Sequence, residues 1–175
     1  MELRQCTKSF ATVWRRSKRT APYRRLLMVS LLFVFPCQAD TINGKVVAIA
    51  DGDTITVLQK RQQHKVRLAE IDTPEKKQPY GNKAKQALSD MVFGKTVTVK
   101  QVDTDRYGRI VGKVYLDGLY VNAEMVKNGH AWVYRKYAKD QDLYRLEEHA
   151  RRQKIGLWAL QEDQRIPPWE WRHKR

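Results

Sequence analysis

The sequence predicts an α+β fold, a five-stranded OB-type β-barrel with about three helices packed around it. Three observations lead there. Short alternating apolar and polar runs recur between Thr41 and Leu116, with turn residues between them. One amphipathic helix, Lys83 to Phe93, interrupts the runs, and two further helical stretches follow the last of them. At 175 residues the chain suffices for one domain with a sizeable core and is too short for two comfortable ones.

The elements follow in order. Val46, Val47 and Ile49 form a first strand, closed by Asp51-Gly52-Asp53-Thr54. Asp53, Ile55 and Val57 then share one face of a second strand, with Thr54 and Thr56 on the other. A carboxylate heading an inward apolar row is costly unless paired, so Asp53 is not plain filler. Lys65 to Ile71 reads as a third strand, ended by Thr73-Pro74 because proline restricts the residue before it. Strict alternation sets Arg67 and Asp72 on opposite faces. They can serve one site only if the strand bends or ends near Asp72.

In the helix, Ala84, Ala87, Leu88, Met91 and Val92 fall at helical spacing, and Gly94 is placed to stop it. Thr96 to Val102 and Ile110 to Leu116 are two more strands, the second closed by the hairpin-type pair Asp117-Gly118. Asn122 is suited to cap a short helix ending at Gly129. A last helix runs from about Asp140 to Lys154, with acids early and bases late, as the helix dipole favours. After residue 160 comes a basic tail, 161–175, whose two prolines and two tryptophans predict an extended segment packing back on the domain.

The net charge of +15 points to a polyanionic partner, nucleic acid first and an anionic membrane surface second. Residues 1–25 carry eight Lys/Arg against Glu2, and 26–39 carry no charge, which leaves +8 on the remainder. The apolar run Leu26 to Pro36 is too short for a stable membrane-crossing helix, which needs about 20 residues. With Cys37-Gln38-Ala39 behind it, segment 1–39 reads as a signal peptide cut after Ala39, giving a secreted or periplasmic protein without stable membrane association. An uncleaved anchor is the alternative. Both cysteines, Cys6 and Cys37, precede the cut, so the mature chain would hold no disulfide. The four histidines lack metal-ligand spacing, and neither a Gly-rich phosphate loop nor a Ser/His/Asp arrangement stands out.

Three stretches carry the chemistry: DGDT (51–54), RLAEIDTPE (67–75) and DRYGR (105–109). Carboxylates can hold a hard divalent cation and take a proton from water, while guanidinium forks grip phosphate oxygens. In order, spacing and flanking residues these stretches resemble the staphylococcal nuclease family, from about Ile42 to Trp158. The resemblance implies a calcium-dependent endonuclease of DNA and RNA that leaves 3′-phosphate ends and works as a monomer. It implies Asp53, Asp72 and the Thr73 carbonyl as calcium ligands, with Asp51 in support. It implies Glu75 as the residue activating water, and Arg67 and Arg109 as the arginines on the scissile phosphate. Arg106, Tyr107 and Tyr137 correspond to substrate-binding positions. Two departures stand out: only Lys76-Lys77-Gln78-Pro79 separates Glu75 from Tyr80-Gly81, and Arg135 replaces a second pocket tyrosine. A catalytically silent nucleic-acid-binding OB module is the rival, although all five acid and arginine positions are filled.

Overall fold

A computed structural model describes residues 40–174; segment 1–39, with both cysteines and the expected signal peptide, lies outside the described residues. Strand β1 (Thr41–Asp51) pairs antiparallel with β2 (Thr54–Gln59) and with β5 (Thr96–Thr104). β2 continues to β3 (Gln62–Leu68), and β5 to β6 (Ile110–Leu116). Parallel pairing of β3 with β6, through Val66–Ile110, Arg67–Val111 and Leu68–Gly112, closes the five strands into the expected barrel. Inward Val46, Ile55, Val57, Val66, Leu68, Val97, Val99 and Val114 are all buried and form its core. Val99 packs so close to Gly112 that a Cβ there would lie 2.5 Å from one of its methyls.

Helix α1 (Gly81–Val92) sets Ala84, Leu88 and Val92 against the barrel, the face that the helical spacing predicts. Asp117 (φ 48°) and Gly118 (φ 85°) form the expected hairpin, joining β6 to the short β7 (Leu119–Tyr120). Helix α2 (Val121–Lys127) follows at once. Here the expected cap is corrected: Tyr120 is the N-cap, and Asn122 lies inside the helix, fully buried. Its side chain accepts from the Val114 amide and donates to the carbonyls of Ala69 and Gly112, tying α2 to the barrel seam. Helix α3 (Gln141–Arg152) is capped by Asp140, whose carboxylate accepts from the Asp142 amide.

The third strand is shorter than predicted. It ends at Leu68, the chain turns through Ala69 and Glu70 (φ 66°), and β4 (Ile71–Asp72) pairs with β8 (Trp132–Val133) in a separate two-stranded sheet. The tail is not extended either. Two 3₁₀ turns, Gly156–Ala159 and Glu162–Gln164, lead to helix α4 (Pro168–His173), with proline at its first position. Among the described residues no helix is long and apolar enough to cross a membrane.

Candidate active site

The break between β3 and β4 builds the site. It changes the strand's direction after Leu68, so that Arg67 and Asp72 meet although alternation sets them apart. Arg67 divides its fork, one nitrogen 2.8 Å from Asp53 Oδ1 and the other 2.7 Å from Asp72 Oδ1. Asp53 stands in the two-residue turn between β1 and β2, buried, with Oδ1 also accepting from Thr54 Oγ1 and Oδ2 from the Thr73 amide. Gly52 in that turn has its own reason. A Cβ there would lie 2.8 Å from Thr73 Oγ1 and 3.0 Å from Ala84, so the DGD turn nests against the DTP turn and α1.

Charge at this point is unbalanced. Burial, then repulsion from Asp53, pushes the Asp51 carboxyl up to about 7. Burial also raises Asp72, despite two guanidiniums beside it. Burial alone would lower Arg67, but Asp53 and Asp72 hold it above its ordinary value. Two buried carboxylates, Asp53 and Asp72, presenting oxygen donors only, match a hard divalent cation. Among the described residues no group of three or more His, Cys, Asp or Glu is placed to hold a metal ion. Two such acids and a main-chain carbonyl would leave most of the coordination of such an ion to water.

Glu75 stands at the rim, its side chain 38% exposed. Its loop is pinned from two sides. The Glu75 amide donates to Gln78 Oε1 at 3.1 Å, and a Cβ on Gly81 would collide with the Glu75 carbonyl. Sequence reasoning missed the partner of Glu75. Arg172, on α4, sets one nitrogen 2.7 Å from Glu75 Oε1 and 3.3 Å from Asp72 Oδ1, and the other 2.6 Å from Asp72 Oδ2. The available signal was an arginine inside a Pro- and Trp-containing tail, which gives a reason to pack but no address.

The third stretch braces itself. Asp105 accepts from the amides of Tyr107 and Arg109 and from Arg109 Nε at 2.6 Å, while Gly108 turns with φ 75°. Burial alone would raise Asp105, yet these donors hold it below its ordinary value. Among the described residues the one ion pair of Arg109 is this one, and no hydrogen bond joins it to Asp53, Asp72 or Glu75. Arg106 donates to the Tyr107 hydroxyl and lies over that ring, which is largely exposed. Tyr137 is exposed and packs edge-on against Tyr134. Arg135, at the departed pocket position, bonds Glu147 at 2.7 Å and lies over Tyr144 instead.

The staphylococcal nuclease homologue family matches residues 65–160. An "Uncharacterized endonuclease" of Escherichia coli is 46% identical over 149 residues, 85% of this chain and 96% of the relative. A "Micrococcal nuclease" of Shigella flexneri is 45% identical over 155 residues, 82% of this chain and 87% of its own. An "Uncharacterized endonuclease" of Haemophilus influenzae is 42% identical over 156 residues, 86% of each chain.

Proposed function

Because the chain belongs to the staphylococcal nuclease family and is an endonuclease that hydrolyses phosphodiester bonds, we propose that it works with bound calcium on DNA and RNA, as a monomer, leaving 3′-phosphate ends. One observation carries this reading: two buried carboxylates, Asp53 and Asp72, share a single guanidinium, with Glu75 at the rim beside them. Asp53, Asp72 and the main-chain carbonyl of Thr73 would hold the ion. When bound, it supplies positive charge against the phosphate.

The chain's own groups do the rest. Arg67 is held in place by its two acids and offers positive charge to the phosphate as charge builds on the oxygens. Arg109, fixed by Asp105, supplies a second guanidinium to the phosphate. Glu75, reachable from solvent, orients water and takes its proton. Arg106, Tyr107 and Tyr137 present exposed charge and aromatic faces to the nucleotide. Export through residues 1–39, to the periplasm or outside the cell, belongs to the same reading.

Plasmid nicking tests it. With few protein ligands, calcium should act in the range of about 10⁻⁴–10⁻³ M, and magnesium, which demands a stricter octahedron, should support cleavage poorly. Products should block primer extension until a phosphatase removes the 3′ group. Undiminished cleavage in chelator would remove the metal reading.

A further inference from the structure

We infer that Arg172 is a tethered cation occupying the metal side of the site, so that a divalent ion enters only as the tail's guanidinium leaves. This makes Arg172 the residue that sets how much metal the enzyme demands. The inference rests on the calcium reading above.

Asp72 carries it. A carboxylate offers about four lone-pair positions. Asp72 gives Oδ1 to Arg67 and Arg172 and Oδ2 to Arg172, so three guanidinium contacts crowd a side chain only 1% exposed. A doubly charged ion on the same carboxylate would repel a guanidinium already forked on both its oxygens. One of the two cations must yield. Arg67 is held on a barrel strand between two acids, with its side chain 17% exposed. Arg172 is 39% exposed at the end of a short terminal helix, so it is the one with a path to water.

The tail is delivered to this spot by packing, not by charge alone. Trp169 stacks on Tyr134 with its ring 5.6 Å away and meets Trp132 edge-on at 5.9 Å, while Pro168 is buried. Gln78 links tail to site. Its carbonyl oxygen accepts from the Glu75 amide, and its amide nitrogen donates to the Ile166 carbonyl. Arg172 also holds Glu75 Oε1, so the displacement that opens Asp72 frees the carboxylate proposed to activate water. Metal entry and release of the base become one event. An arginine bound to Asp72 alone would not couple them.

Calorimetric titration of calcium into the full chain, without substrate, tests this. Arg172→Gln should bind calcium about tenfold more tightly than wild type, and Asp72→Asn should abolish the heat. Arg172→Lys, which keeps the charge but loses the fork, should fall between wild type and Arg172→Gln, and it decides the matter if the Gln variant does not fold. In thermal unfolding, Arg172→Gln should lower Tm without calcium and enlarge the rise that calcium produces. Measurable but equal affinities in wild type and both Arg172 variants would overturn the competition and leave the calcium reading standing. No calcium binding in any of them would overturn both.

Discussion

Glu75 is the least buried of the acids in the site and the one with the least structural work. Among the described residues its carboxylate pairs with Arg172 alone, whereas Asp53 and Asp72 share Arg67 and are almost fully buried. Glu75→Gln should therefore slow cleavage by about 10²-fold or more, the loss expected when a general base is removed, while nucleic acid still binds and the fold persists. Arg109→Ala should lower turnover at least as much by removing a phosphate-directed donor. Steady-state cleavage beside a binding assay checks both, and wild-type rates in both variants would show these roles to be misassigned. The sequence showed these residues because each follows a turn residue, Pro74 before Glu75 and Gly108, at φ 75°, before Arg109. Arg172 was illegible for a different reason. It meets partners 97 and 100 positions away, and no local pattern encodes that distance.

Between elements, the join of β3 and β4 matters most. Glu70, at φ 66°, sends Oε1 to the amides of Lys139 and Asp140 and Oε2 to Lys113 Nζ at 3.1 Å, clamping the strand break to the start of α3. Burial alone would raise this carboxyl, but those amides and Lys113 hold it below its ordinary value. A depressed pKa adds stability that is complete above the usual carboxylate range and is lost as pH falls through the folded-state value. Glu70→Gln should thus cost about 1.5–3 kcal/mol at neutral pH, as for hydrogen bonds to a charged group. The gap to wild type in urea unfolding should close on acidification below pH ~4. Strand periodicity showed the barrel strands well, because each has one buried face. It missed this break, since Leu68, Ala69, Ile71 and Asp72 are all buried and alternation disappears where a strand changes sheets. Asn122 misled for a related reason: its amide caps nothing in its own helix and serves two carbonyls and an amide of other segments.

Across the whole molecule, basic charge and the two cysteines divide the chain at one place. Segment 1–39 holds both thiols and seven of the fifteen net positive charges, while residues from Asp40 onward begin the barrel at Thr41. If 1–39 directs export and is cut after Ala39, the mature chain keeps Asp53, Arg67, Asp72, Glu75, Arg109 and Arg172 and contains no sulfhydryl. Its stability then comes from the barrel core and the packed helices, so reductant should leave its Tm unchanged. It stays basic at +8, so its affinity for DNA should still fall with salt, with a log–log slope of about −0.9 per phosphate neutralised. Mass spectrometry of protein exported from a bacterial host should give a chain starting at Asp40. Recovery of chain that retains 1–39 in the membrane fraction would instead tether the nuclease. The acids and arginines of the site all lie beyond residue 39, so the chemistry would stand and only its reach would change.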